Sequence, residues 1–154
     1  ATFIAPLSGY AETDLICYRA EEPFALVAKQ NQDWNPLMGW AQARFDVSFA
    51  LVRGIIHQPQ PARTVARLAE ALAARPAWEL APLNPLITIS GSLVIALALA
   101  ERAILPDAAF DAAHLDELWQ EEQWGADDFA LEARAARRAD FMAAARFLAL
   151  VQGR

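Results

Sequence analysis

The spacing of apolar residues predicts a chain that is mainly helical. Apolar side chains recur three and four positions apart from Val65 to Leu72, which is the period of an amphipathic helix with one buried face. We expect this helix to end before Pro76. The same period begins near Pro23 and continues to about residue 41, where Pro36 predicts either a kink or a division into two helices.

The most apolar segment is Leu86–Ala100, which is fifteen residues long and carries no charge. A helix that spans a bilayer needs about 20 such residues. We therefore interpret this segment as a buried core helix. Asn84 followed by Pro85 is typical of an N-cap with proline at the first helical position, and it predicts where this helix begins.

Two more helices are predicted in the last third of the chain. Pro106 favours the start of a helix that continues to Trp124, because Gly125 is typical of a helix end. A last helix is expected from Asp127 to about Val151, since acidic residues favour the first turn.

Two short segments, 14–18 and 47–52, are rich in β-branched or aromatic residues and alternate in part. This pattern predicts short strands. We expect them to form a small antiparallel β element near the N-terminal side. The predicted fold class is therefore mainly α, with α+β character at the margin.

Composition restricts the classes of function. The 154 residues, 56% of them apolar, suffice for one folded domain. The formal charge of −6 argues against nucleic-acid binding, which needs a clustered basic surface. Cys17 is the single cysteine, so the chain forms no internal disulfide, and its two histidines give no zinc spacing. Partners are expected to be proteins or small molecules, in a reducing compartment.

Charge is segregated along the last third of the chain. Asp107–Glu132 contains nine acidic residues and no lysine or arginine, and arginines follow at 134, 137 and 138. The simplest interpretation is a solvated helical hairpin whose acidic and basic halves attract each other across the turn.

Glu122 departs from this simple pattern because it lies on an apolar helix face. Leu115, Leu118 and Trp119 precede it by seven, four and three positions. Burying an unpaired carboxylate costs several kcal/mol. Either the apolar face ends at Glu122, or an arginine such as Arg134 or Arg138 pairs with it, or this helix edge is exposed for a partner.

The sequence shows no arrangement typical of catalysis. Ser90 and Ser92 are candidate nucleophiles, but they lie in an apolar helix without a nearby histidine. Glu121 and Glu122 are adjacent, so a helix points them apart. The alternative to a binding protein is a small-molecule enzyme with a carboxylate-containing pocket near Glu122 and Asp127, which predicts a concave site with convergent polar groups.

The segment Leu115–Asp127, which reads Leu-Asp-Glu-Leu-Trp-Gln-Glu-Glu-Gln-Trp-Gly-Ala-Asp, resembles a signature of a known family. This family comprises the F1-ATPase assembly chaperones that attend the F1 α subunit, of the ATP synthase assembly factor 2 type. Four further blocks match in the family's order: Asp14–Ala20, Trp34–Leu37, Ile87–Ser92 and Arg138–Phe141. The resemblance covers most of the chain.

The resemblance implies a fold in which a small N-terminal β domain is joined to a larger helical C-terminal domain. This chain corresponds to the second domain. Residues 1–13 are then expected to be a stub or linker of the β domain, and residues 14–154 the helical chaperone domain. A rival interpretation places the binding surface in the β domain.

The resemblance also implies a function in assembly of the proton-transporting ATP synthase complex. The chaperone would hold the unassembled F1 α subunit and shield the surface that later meets β. No cofactor, metal, nucleic-acid partner or membrane insertion is implied, and the expected location is the bacterial cytoplasm or, in a eukaryote, the mitochondrial matrix. The residues implied in client binding are Gln120, Glu121, Glu122, Trp124 and Asp127.

Overall fold

The computed structural model describes residues 4–154, and most of them are helical, as predicted. The helices are α1 Ile4–Ser8, α2 Phe24–Phe45, α3 Ala62–Ala73, α4 Ala77–Ser90, α5 Leu93–Ala100, α6 Pro106–Ala113, α7 Leu115–Trp124 and α8 Asp128–Val151. Two 3-10 turns, Gly9–Ala11 and Leu15–Cys17, and two strands, β1 Tyr18–Arg19 and β2 Val52–Arg53, complete the elements.

The β element is present, but its two strands run parallel. Tyr18 pairs with Val52 and Arg19 with Arg53. The predicted antiparallel pairing is wrong because the connection is not a hairpin: the 22 residues of α2 lie between the strands and allow the chain to return in the same direction.

Helix α5 lies at the centre of the core, and all eight of its residues are buried. Helices α2, α4 and α6 pack against it, and α8 packs along α4. The prediction that the apolar segment is buried is confirmed. It forms parts of two helices, however, because Gly91 ends α4 in the left-handed conformation and Ser92 then caps α5 by accepting a hydrogen bond from the Ile95 amide.

The start predicted at Asn84–Pro85 is wrong, since α4 begins at Ala77 and continues through both Pro82 and the later proline. A proline inside a helix leaves the carbonyl four residues earlier without its amide donor. Here those carbonyls belong to Trp78 and Ala81, which are exposed, so solvent can supply the missing donors.

The helix predicted from Pro106 to Trp124 is divided into α6 and α7 at His114. The His114 ring stacks on Phe110 with centroids 3.9 Å apart, and its Nδ1–H donates to the Phe110 carbonyl at 2.9 Å. Burial lowers the pKa of His114, which keeps the ring neutral. Nε2 is then able to accept a hydrogen bond from Arg137 Nε at 3.2 Å.

The first described residues belong to the same core as the rest. Helix α1 packs against α3, and Leu7 and Ala11 are buried in the core cluster. The division into a stub at residues 1–13 and a chaperone domain remains a prediction, and its residues 1–3 lie outside the described part of the chain. Within residues 4–154, no helix combines the length and the apolar character needed to cross a bilayer.

Gly91→Ala is expected to lower the free energy of unfolding by about 1 kcal/mol, because Gly91 has φ of +69° and a side chain strains that conformation. There is room for the added Cβ, which would meet only Leu15 Cβ at 4.0 Å. Gly39→Ala in the middle of α2 is the matched control, and we expect it to stabilise the protein by up to about 1 kcal/mol. Urea denaturation measures both, and changes of the same sign would contradict this account.

Candidate functional site

Two of the blocks that carry the family resemblance meet at Asp14, which is fully buried. Its Oδ1 accepts a hydrogen bond from the Ser92 hydroxyl at 2.6 Å, and its Oδ2 accepts one from the Val94 amide at 2.9 Å. The Leu15 amide donates to the Gly91 carbonyl at 3.0 Å. Burial raises the pKa of Asp14 to about 6. These contacts attach the N-terminal segment to the start of α5.

Arg19 joins the first block to α2. Its Nε donates to the Ile16 carbonyl at 2.6 Å, and its Nη1 donates to Asn31 and Asn35 at 3.2 and 2.8 Å. The guanidinium also lies 5.5 Å from the centre of the Trp34 ring. Burial lowers the pKa of Arg19. The side-chain amides of Asn31 and Asn35 on α2 therefore hold this helix against the segment that leads into β1.

Helix α7 is positioned by residues of α2. Gln30 is buried, accepts a hydrogen bond from the Ala20 amide and donates one to Asp116 in the first turn of α7, both at 2.8 Å. Trp34 Nε1 donates to the Ala112 carbonyl at the end of α6, also at 2.8 Å. The orientation of α7 is thus set through its N-terminal end.

The acidic segment and the arginines of α8 face each other, which confirms the interpretation as a helical hairpin with attracting halves. Arg134 lies 2.5 Å from Glu121 and 3.1 Å from Glu117. Each such pair near the surface contributes about 1 kcal/mol or less. The ion pairs are Arg134–Glu117, Arg134–Glu121, Arg137–Glu117 and Arg138–Asp107.

Glu122 lies at the exposed end of an apolar face. Leu115, Leu118 and Trp119 line one cavity together with Glu122, so the shared face predicted from spacing is confirmed. The alternative in which Arg134 pairs with Glu122 is wrong, because Arg134 forms its ion pairs with Glu117 and Glu121 instead. Among residues 4–154, Glu122 has no ion-pair partner, and it is exposed at the edge of this cavity.

Two of the five predicted client-binding residues have structural contacts of their own. Asp127 is the N-cap of α8, where its side chain accepts a hydrogen bond from the Ala130 amide at 2.7 Å. Glu121 is half-buried and holds Arg134. Replacing either residue would disturb the hairpin as well as any client contact.

The other three predicted residues are exposed near the C-terminal end of α7, where Gln120 and Trp124 share one side of the helix and Glu122 lies on the other. Gln120 and Glu122 are exposed, and Trp124 is 75% exposed with its ring against Trp119, centroid to centroid 5.8 Å. Phe129 in the first turn of α8 is 81% exposed and was missed in the sequence. Phe129 follows two aspartates at the predicted helix start, before the apolar spacing of α8 begins. That position could have indicated an exposed aromatic residue.

Comparison with known proteins places the chain in a family. The model of the ATP12 chaperone protein family matches residues 1–42. The crystal structure of Atp12 from Paracoccus denitrificans has a TM-score of 0.93, is 34% identical and is matched over 97% of this chain and 64% of its own. The chain belongs to the ATP12 chaperone family. The resemblance stated from the motif blocks is thereby confirmed.

Two further structures support membership in the ATP12 family. The Agrobacterium tumefaciens protein Atu1473 is 39% identical, with a TM-score of 0.88 over 96% of this chain and 55% of its own. A variant of the Paracoccus denitrificans protein, in which one aspartate is replaced by lysine, is 33% identical with a TM-score of 0.93, over 97% of this chain and 64% of its own. The chain therefore spans less than two thirds of the length of these ATP12 relatives.

The alternative of a small-molecule enzyme finds little support in the geometry of this ATP12 domain. The described residues that line the cavity at Glu122 do not include Asp127, so the two carboxylates do not converge. The carboxyl group with a raised pKa is Asp14, and both of its oxygens accept hydrogen bonds within the core.

Proposed function

We propose that this domain is a chaperone for assembly of the F1 sector of ATP synthase, which binds the unassembled α subunit and shields its β-facing interface until the hexamer forms. Membership in the ATP12 family supports the assembly role. The observation that carries the site is Glu122, an exposed carboxylate without an ion pair among residues 4–154, on the same end of α7 as exposed Gln120 and Trp124. The proposal includes no catalytic step and no cofactor.

The proposed mechanism is imitation of the subunit that α later meets. Glu122 offers the client negative charge, and the exposed Trp124 and Phe129 near the α7–α8 turn cover apolar surface. Charge complementarity then sets which partner is accepted, and burial of apolar surface adds affinity. The client is released when its true partner binds the same surface more tightly. The domain acts where F1 is assembled, in the bacterial cytoplasm or the mitochondrial matrix.

Glu122→Lys is expected to reduce retention of the α subunit about tenfold or more while leaving folding unchanged. Reversing a charge at an electrostatic contact penalises the complex, whereas in the free domain this side chain is solvated and has no ion pair to lose within residues 4–154. The measurement is co-expression with an F1 α subunit followed by pull-down of soluble α. Glu132→Lys, at an exposed position of α8, is the matched control and should retain α as the wild type does.

Glu121→Lys separates a binding effect from a folding effect. It removes the 2.5 Å ion pair with Arg134 and brings two cations together, so we expect about 1 kcal/mol less stability and a melting temperature lower by about 2–4 °C. Glu122→Lys should change the melting temperature by less than that. A larger fall for Glu122→Lys would make Glu122 structural. Failure of the wild-type domain to retain α would contradict the proposed client or move the binding surface to the β domain.

A further inference from the structure

A groove lies between α2 on one side and α6 and α7 on the other. It consists of two adjoining cavities of about 200 and 400 Å³, which share Lys29, Asp33 and Asp111. The smaller cavity ends at Glu122, and the larger one extends toward Ile104. The groove therefore begins at the proposed client-binding edge and continues away from it along α2.

The smaller cavity combines an apolar wall with negative charge. Leu118 and the Trp119 ring are half-buried and supply the wall. Asp33, Asp111 and Glu122 bring three carboxylates to the rim. Lys29 is the one cation among the described residues that line this cavity, which leaves the lining with a formal charge of −2. A space of about 200 Å³ is too small for a helix and suits a single long side chain.

Lys29 is the only lysine in the chain, and it already binds one of these carboxylates. Its Nζ lies 3.2 Å from Asp33 Oδ2, one helical turn away on α2. Among the residues that the structure describes, Asp111 and Glu122 have no ion pair. Both the Lys29 and the Asp33 side chains remain partly exposed, so a second cation can reach them.

We propose that this groove binds an arginine or lysine side chain that projects from an apolar segment of the client. The cationic group lies between Asp33, Asp111 and Glu122, and its aliphatic part packs on Leu118 and Trp119. Lys29 is an internal competitor, because in the free domain it occupies part of the position that the client's cation takes. The identity of the client rests on the proposed function; the chemistry of the groove does not.

Because Lys29 competes with the client's cation, removing its charge should strengthen binding, which tests the proposal. Lys29→Met keeps the aliphatic length and removes the charge, so it should tighten binding about threefold to tenfold. Asp111→Asn keeps the shape and removes a carboxylate, so it should weaken binding by a similar factor. Glu132→Gln on α8 removes an exposed carboxylate outside the groove and should have no effect.

The probe is the peptide N-acetyl-leucyl-arginyl-leucine amide, titrated into the whole domain and followed by NMR at the Trp119 indole and the Asp111 amide. The same peptide with citrulline, which has the shape of arginine without its charge, is the control ligand. Saturable shifts with arginine that are at least about fivefold weaker with citrulline, and stronger with Lys29→Met, are expected. Equal binding of both peptides, or weaker binding by Lys29→Met, would overturn the proposal.

Pull-down of the F1 α subunit with the same variants separates this proposal from the proposed function. If wild type, Lys29→Met and Asp111→Asn retain α equally, the chaperone function stands and the groove proposal fails. If the peptides bind as expected but α is not retained by the wild type, the groove proposal stands and the α subunit is not its client.

Discussion

Asp14→Ala is expected to lower the free energy of unfolding by about 4 kcal/mol at pH 4 but by only about 1 kcal/mol at pH 7.5. The substitution leaves the Ser92 hydroxyl and the Val94 amide without their acceptor in a fully buried place, and each such loss costs about 1–3 kcal/mol. At pH 7.5 about 3 kcal/mol of this loss is offset, because the variant no longer buries an ionised carboxylate. The dependence on pH comes from the carboxyl group itself.

Burial raises the pKa of Asp14 to about 6 from an ordinary value of 3.8, so the folded state holds this proton more tightly than the unfolded chain does. The stability that Asp14 contributes is therefore complete below pH 4 and decreases as the pH rises through 6. A difference of about two pKa units corresponds to about 3 kcal/mol.

Urea denaturation of the wild type and of Asp14→Ala at pH 4 and pH 7.5 measures this difference directly. Subtracting the two proteins at each pH cancels the contributions of other titrating groups, among them His114. A stability difference that is independent of pH, or larger at pH 7.5, would contradict the assignment of the raised pKa to Asp14.

Trp34→Ala is expected to cost about 4 kcal/mol of stability, because Trp34 is 1% exposed and its truncation leaves a large cavity in the core. The same change removes the hydrogen bond to the Ala112 carbonyl that holds the α6–α7 connection on α2. Trp34→Phe keeps most of the packing and loses that bond, so we expect about 1–2 kcal/mol. Thermal or urea denaturation measures both.

Trp124→Ala is the control for the loss of an indole ring. Trp124 is 75% exposed, so its truncation should change the stability by no more than about 0.5 kcal/mol. In the α-subunit pull-down, by contrast, Trp124→Ala should weaken retention of the client although it leaves the stability nearly unchanged. A similar loss of stability at both positions would contradict the assignment of Trp34 to the core and Trp124 to the surface.

Long helices with a regular hydrophobic spacing were predictable because that spacing follows from the burial of one helix face. The helix expected through Val65 and Leu72 is α3, and the helix expected from Asp127 to about Val151 is α8. The division of α2 allowed for at Pro36 does not occur, since Pro36 lies inside one continuous helix. In each segment the buried face extends over several turns and outweighs a single local signal.

Local sequence signals for the start and end of a helix were less reliable where tertiary contacts determine the helix boundary. Asn84–Pro85 has the residues of a helix start, yet packing of α4 along α8 continues the helix through it. Nothing in the sequence near His114 marks a break, because the break depends on the ring stacking on Phe110 and on Arg137 from another helix. The parallel pairing of β1 with β2 is likewise set by the packing of the helix between them.

At the candidate site, the sequence could predict what lies on one helix and not what lies across from it. Glu122 shares its face with Trp119 by helical spacing alone. The partner of Arg134 depends on how α8 is placed against α7, so the sequence could not distinguish Glu121 from Glu122 as its ligand. Lys29 is more than 80 positions before this face, and its place opposite Glu122 is a property of the fold.

Within the described part of the chain, helix α7 is held to neighbouring helices by side-chain bonds as far as Glu121 and not beyond it. Gln30 binds its first turn and Arg134 and Arg137 hold Glu117 and Glu121, whereas Glu122 to Trp124 make no side-chain hydrogen bond or ion pair within residues 4–154. These last three residues can therefore rearrange without breaking a side-chain hydrogen bond or ion pair to another helix. The end of α7 that we propose faces the client can therefore adjust its backbone at little cost to the core.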